Sequence, residues 1–257
     1  MDRELDAVKN AAVKAGKMIK SRLGKVRSIE YKGAINIVTD VDKKAEALII
    51  RDLKKEFPEY GILAEESPEQ KNDSAKWIID PLDGTTNFAH GFPFFAVSIG
   101  LEKEGRIVAG AVYDPMHDEL FYARQGKGAF LNKKKIRVSK TKKLDKSFLA
   151  TGFSYTFKDK ENNNMDNFRN FMMASLAIRR AGAASLDLCY VACGRFDGFW
   201  ELDLFPWDMA AAAVIIEEAG GKLSDFRGRK FDLYAKNVTA SNGLIHSQMV
   251  SILKGKG

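Results

Sequence analysis

Cysteine, histidine and proline are all scarce in this 257-residue chain, at two, three and six residues. Cys189 and Cys193 lie four apart on an apolar helical pattern, so a disulfide framework is excluded; they read as small buried hydrophobes in a reducing compartment. His90, His117 and His246 are widely separated and have no ligand spacing, which leaves a zinc site or a histidine-based triad without support. There is no low-complexity tract and no apolar run approaching a membrane span. The first residues, MDRELDAVKNAAVKAGKMIKSRL, are charged throughout and lack the apolar centre of a signal peptide. No membrane partner is expected, and the expected location is cytoplasmic.

What is abundant is charge. Forty-one basic and 34 acidic side chains give a net charge of +7, which is compatible with anionic partners. The basic residues are scattered or confined to the turn-like stretch Lys133 to Lys143, where no aromatic residues interleave. That pattern reads as a solvated loop face and argues against nucleic acid.

Apolar residues recur three and four apart from Leu5 to Leu23 and again from 41 to 57, predicting two helices, the second with Thr39 or Asp40 as N-cap. Between about 60 and 125 the runs GILA, WIID, FFAVSIGL, RIVAGAVYD and ELFYAR predict a mainly antiparallel sheet. Further strands are expected near 129–131 and 148–151, and a polar loop at 158–164 leads toward a helix ending near Met173. Beyond it, helices at 184–193 and 207–219 and from Leu244 alternate with strands at 196–202 and 238–241. The expected organisation is an α+β half over residues 1–145 and a smaller α/β half over 146–257, with a cleft between them.

The segment WIIDPLDGTTNF at 77–88 places Asp80 and Asp83 after an apolar strand. Pro81 is expected to stop that strand, Gly84 lets the backbone approach an anion, and Thr85 or Thr86 can cap a following turn. Three other segments carry carboxylates beside apolar elements: Asp40 and Asp42, Glu65 and Glu66, and Asp208 after Trp207. Each has a plain alternative. Asp42 suits the first turn of a helix, Glu65 and Glu66 suit a solvated turn, and Asp208 suits a helix cap. Together they make an oxygen-only donor set suited to hard cations such as Mg2+ or Mn2+. Two such ions about 4 Å apart could assist in-line displacement at phosphorus.

AEES at 64–67, WIIDPLDGTTNF at 77–88 and PWDMAAAAVIIEEAGG at 206–221 resemble the three signature segments of the inositol monophosphatase family. That family lies within the lithium-sensitive, metal-dependent sugar phosphatases. The resemblance extends to NIVTDVDKKAE at 36–46, GKGAFLN at 126–132 and RRAGAASLDLCYVACGRFDGFWE at 179–201. It implies a layered αβαβα sandwich and a homodimer. It also implies two or three Mg2+ ions, or Mn2+, held by Glu65, Asp80, Asp83, Asp208 and the backbone carbonyl of Leu82. Thr85 would activate a water with Glu65 and Asp42, while N–H groups of Gly84, Thr85 and Thr86 hold the phosphate. Asp83 and Asp208 would also touch substrate, and Gly182, Ala183, Ala184 and Glu201 would meet the alcohol part of a phosphorylated polyol or sugar.

By the same resemblance, Arg179, with Arg180, would contact the second phosphate of fructose 1,6-bisphosphate. The plain alternatives are an edge-strand acid for Glu201, close helix packing for Gly182 to Ala184, and a helix or dimer surface for the arginine pair. The expected reaction is hydrolysis of inositol 1-phosphate, with fructose 1,6-bisphosphate as a possible second substrate. The competing readings are a phosphatase for 3′-phosphoadenosine 5′-phosphate or NADP, and a non-catalytic RNA- or polymerase-binding member of the fold.

Overall fold

A computed structural model describes residues 2–25, 29–31, 37–72, 74–155, 158 and 163–254. Its helices are α1 (Arg3–Arg22), α2 (Asp40–Glu56), α3 (Thr85–Ala89), α4 (Met165–Ala174), α5 (Ala184–Ala192), α6 (Pro206–Glu218) and α7 (His246–Leu253). Seven strands make the first large sheet: β3 (Gly61–Ala64), β4 (Ala75–Asp83), β5 (Ala96–Lys103), β6 (Arg106–Asp114), β7 (Glu119–Arg124), β8 (Gly128–Leu131) and β9 (Lys134–Lys135). Before them, β1 (Ile29–Tyr31) and β2 (Ile37–Thr39) pair antiparallel. The second sheet contains β10 (Phe148–Thr151), β11 (Ala177–Arg179), β12 (Gly198–Leu202), β13 (Lys222–Ser224) and β14 (Asn237–Ser241), in the order β11-β10-β12-β14-β13.

The layers follow from which faces are apolar. In α1, Val8, Ala12, Ala15 and Ile19 are buried on one stripe, and with Val41, Ala45, Ile49 and Leu53 of α2 they cover one face of the seven-stranded sheet. Helices α5 and α6 cover the other face and also pack against the second sheet. Helices α4 and α7 lie against that sheet's own strands, around Leu149, Phe171, Trp200 and Met249. The result is the αβαβα sandwich expected from the resemblance. Residues 159–162 of the expected loop lie outside the described residues.

Helix α6 is buried from Met209 through Ile216, as a helix between two sheets must be. Its alanine run lets it approach β5 and β6 at Gly100 and Gly110. A Cβ on Gly110 would fall 2.6 Å from Ala211 Cα and 2.7 Å from its carbonyl oxygen. That pairing of glycine on alanine sets the spacing between sheet and helix.

One expectation needs correction. Pro81 does not end its strand: β4 continues to Asp83, with a register shift between the Asp80↔Ser98 and Asp83↔Ala96 pairs. Proline has no N–H for the ladder, so the pairing is interrupted there while the chain stays extended. In the carboxyl-terminal half the sheet is mixed, because β10 runs parallel to β11 and β12 whereas β14 is antiparallel to both β12 and β13. Strands β11 and β13 have three residues each, too few to show a period.

Gly110→Ala is expected to destabilise the fold by about 3 kcal/mol, since the added methyl meets backbone that cannot rotate away. Urea unfolding of the variant checks this, and an unchanged midpoint would show that the layer is not packed as described.

Candidate active site

The parallel pairing of β3 with β4 carries both chains toward the same end, and Glu65 N donates to Ile79 O at 3.2 Å, so Glu65 emerges beside Asp80. Asp80 is 2% exposed and its Oδ1 accepts from Leu82 N at 3.0 Å. Three residues on, Asp83 reaches across to the other half of the chain. Its Oδ1 accepts from Ala184 N at 3.2 Å, and its Oδ2 accepts from Ser185 N at 2.7 Å and Ser185 Oγ at 2.5 Å. Asp83 thereby satisfies free N–H groups in the first turn of α5, where the helix dipole also favours a negative charge.

Asp208 occupies the first turn of α6, and its Oδ2 accepts from Phe205 N at 2.7 Å. It fills the capping role foreseen for it while facing the cleft. Asp42 combines two roles as well. It is fully buried; Oδ2 accepts from Thr39 N at 2.9 Å and Thr39 Oγ1 at 2.5 Å, and Oδ1 lies 2.8 Å from Thr85 Oγ1. Thr85 does not cap α3. Gly84 precedes that helix in a left-handed conformation (φ 89°), and the Thr85 hydroxyl faces Asp42 Oδ1 and, at 3.0 Å, Leu82 O.

Asp83, Asp208, Glu201, Gly84, Gly182, Ala183 and Ala184 all line one cleft of about 270 Å³. Arg179 is not brought there. Its Nη1 donates to Ile178 O and its guanidinium lies 4.8 Å from the Phe148 ring centre, while the cleft receives Arg180 instead. The sequence presented the two arginines as a pair; only the end of β11 separates their directions. A second depression, about 330 Å³ and lined by residues including Glu69, Lys76 and Glu102, mixes both charge signs and holds none of these residues.

The electrostatics are those of like charges held out of water. Burial, then the charges of Glu65, Asp83 and Asp208, pushes the Asp80 carboxyl well above its usual range. Burial raises Asp208 well above its range too, against the opposing bond from Phe205 N, and Asp83 and Glu65 add to the rise. Burial also raises Asp83, opposed by its bonds to Ser185 and Ala184. Glu201 is pushed up to about 8 by burial, with Arg180 opposing and Asp83 and Asp203 reinforcing.

Among the described residues, no three acidic, histidine or cysteine side chains close on one ion-sized point. Asp80, Asp83 and Asp208 each lean on a backbone donor of their own. The donor chemistry nevertheless fits hard cations, since the ligating atoms are oxygens and a cation would reverse the mutual repulsion that raises Asp80 and Asp208.

Several residues were not singled out in the sequence. Glu46 is 3% exposed, one helical turn beyond Asp42, and its Oε2 accepts from Glu66 N at 2.8 Å, tying α2 to the acidic segment. The i, i+4 spacing from Asp42 was the available signal. Tyr155 and Asp187 also line the cleft; neither stands near a signature acid in sequence.

Carboxylates gathered from strand ends and a helix N-terminus, beside a threonine and a left-handed glycine, define a site for cation-assisted phosphoryl chemistry. Residues 1–256 match the profile of the inositol monophosphatase family. The inositol-1-monophosphatase of Synechocystis is 44% identical, with 97% of this chain and 88% of that protein aligned. The Nus factor SuhB of Pseudomonas aeruginosa is 44% identical, covering 94% of this chain and 92% of that protein. The crystal structure of extragenic suppressor protein suhB from Bartonella henselae superimposes with a TM-score of 0.94 at 42% identity, covering both chains fully. The chain belongs to the inositol monophosphatase family, and with it to the metal-dependent phosphoric monoester hydrolases.

A carboxyl raised by folding holds its proton more tightly in the folded chain than in the unfolded one. Stability is then greatest below the unfolded pKa and is lost as pH rises through the folded value. For Glu201 that window runs from 4.5 to about 8. Urea unfolding in chelator should give a lower midpoint near the top of this window than near the bottom, and Glu201→Gln should flatten the difference. An equally steep fall in the variant would remove Glu201 from the account.

Proposed function

We propose that the protein hydrolyses the phosphate monoester of a small cyclic polyol, inositol 1-phosphate above all. The observation that carries this reading is the Asp42–Thr85 pair set against the cluster of Glu65, Asp80, Asp83 and Asp208. Two or three Mg2+ ions, with Mn2+ able to replace them, would be held by Glu65, Asp80, Asp83, Asp208 and the Leu82 carbonyl. When bound they supply positive charge to the phosphoryl oxygens and to the leaving alkoxide.

The chain's own residues do the rest. Thr85 Oγ1 lies 2.8 Å from Asp42 Oδ1, so as it takes a proton from the attacking water its own hydroxyl proton passes to the Asp42 carboxylate. Glu65, beside Asp80 at the strand ends, orients the same water. N–H groups of Gly84 and Thr85 approach the phosphate, because the left-handed turn at Gly84 exposes them. Gly182, Ala183, Ala184 and Glu201 bound the alcohol half, with Asp83 and Asp208 at the junction. For a second phosphate, as in fructose 1,6-bisphosphate, Arg180 rather than Arg179 is the cation in reach of the cleft.

The supporting name is that of the Synechocystis relative. The name Nus factor SuhB on a relative of equal identity favours a second reading, a binding role alongside catalysis. The exposed Lys133, Lys134 and Lys135 would be its contact surface. A purely binding protein has no chemical need to hold Asp80 beside the like charges of Glu65, Asp83 and Asp208, which favours the enzyme. For the 3′-phosphoadenosine 5′-phosphate and NADP readings, Phe153 and Tyr155, which both line the cleft, would be the surface that meets an adenine.

Two further proposals concern the setting. No helix among the described residues is long and apolar enough to cross a membrane, and we place the protein in the cytoplasm, where the free Cys189 and Cys193 would stay reduced. We also propose a homodimer through α4 and the residues after it, where Met172, Met173 and Leu176 are more than half exposed.

Phosphate release from inositol 1-phosphate should require Mg2+, stop with chelator and fall at least about a hundredfold in Asp83→Asn. Activity surviving either treatment would sink the metal-assisted reading. Light scattering should give twice the chain mass, and Met173→Asp should shift it toward the monomer; an unshifted mass would move the interface elsewhere.

A further inference from the structure

Asp187 lies in the first turn of α5, is 1% exposed and lines the cleft beside Glu201. Its Oδ1 makes no hydrogen bond to any described residue. A buried carboxyl oxygen without a partner costs stability, and a leucine of similar volume would fill the same space without that cost. Packing alone therefore does not account for an aspartate here.

Its neighbours narrow the role. The same helical turn supplies Ala184 N and Ser185 N to Asp83, so it borders the phosphate side of the cleft, whereas Asp187, two and three residues on, faces Glu201 on the alcohol side. Glu201 itself crosses bare backbone at Gly152, where a Cβ would overlap its carboxylate. Burial, with the charges of Glu201 and Asp83 adding and Arg180 opposing, raises the Asp187 carboxyl well above its usual range, and its Oδ1 stands unbonded among the described residues, in position to meet a substrate hydroxyl.

We propose that Asp187 is a specificity-determining residue, pairing with Glu201 on the cleft floor to hydrogen-bond a ring hydroxyl of the alcohol half of the substrate. This rests on reading the cleft as a polyol monophosphatase. A hydroxyl-bearing substrate satisfies the buried oxygen; an alcohol half without hydroxyls leaves it unpaired, and sites built to bond a hydroxyl discriminate strongly on that ground.

The test compares kcat/KM for inositol 1-phosphate and for p-nitrophenyl phosphate, whose leaving group carries no further hydroxyl, in the full-length enzyme with Mg2+. In Asp187→Leu the preference for inositol 1-phosphate should fall about tenfold, the scale of one lost hydrogen bond. Asp187→Asn, which keeps a donor and an acceptor, should recover most of it. The unfolding midpoint of Asp187→Leu should be no lower than that of the wild type. If the leucine variant does not fold, Asp187→Ala should show the same loss of preference. An unchanged preference in a folded Leu or Ala variant overturns the proposal alone. A wild-type enzyme that cleaves p-nitrophenyl phosphate but not inositol 1-phosphate overturns the substrate reading and this inference with it.

Discussion

The structure is organised around the cost of keeping negative charges together. Glu65 follows β3, Asp80 and Asp83 end β4 and Asp208 opens α6, and the charges of Glu65, Asp83 and Asp208 all raise the proton affinity of Asp80. Left to themselves, such groups would separate into water or neutralise. The fold prevents separation by setting Asp80 and Asp83 in β4, Asp208 in the first turn of α6 and Glu65 just past β3, and it gives the three aspartates local donors: Leu82 N for Asp80, the first turn of α5 for Asp83, and Phe205 N for Asp208. These donors compensate the carboxylates only in part, and the residual repulsion is what makes the cluster a good host for a hard cation.

The same constraint explains why the middle layer is so tightly specified. Asp83 and Asp208 meet only if α5 and α6 sit at a set height above the first sheet. Gly100 and Gly110 against Ala210 and Ala211 define that height, since any larger pair would lift α6 and carry Asp208 away from β4. A site assembled from both halves of the chain thus depends on contacts between residues that have almost no side chain. The alanine run in α6 serves the chemistry through distance.

Much of this was legible in the sequence, and the limits have physical causes. Asp80 and Asp83 stand out because strand hydrophobicity and the acids are contiguous, and α1 and α2 because their apolar stripes are long and regular. Local reading failed where the backbone departs from the usual consequence of a residue type. Pro81 interrupts pairing without ending β4, and Thr85 directs its hydroxyl at Asp42 instead of capping α3. It also failed where direction mattered more than identity. Arg179 and Arg180 are the same residue type one position apart, and only the strand end at β11 sends one over Phe148 and the other into the cleft. Glu46 and Asp187 are ordinary helical acids until the packing of α2 and α5 buries them.

The first turn of α5 links the two questions that the site raises. Its backbone N–H groups hold Asp83, which the proposed function sets against the phosphate. The same turn presents the buried Asp187 carboxyl to the cleft, on the side that the proposed function assigns to the alcohol. A shift of α5 would therefore disturb the carboxylate cluster and the alcohol wall together, so catalysis and selectivity are not free to vary independently. Relatives sharing the acidic segments can differ in substrate only through residues that leave the Asp83 bonds intact, which confines variation to side chains pointing away from Ala184 N and Ser185 N. Position 187 satisfies that condition, as do Glu201 on β12 and Arg180, which line the same cleft. On the proposed reading, substrate choice falls to a narrow set of positions, because the same helical turn must first secure the Asp83 carboxylate.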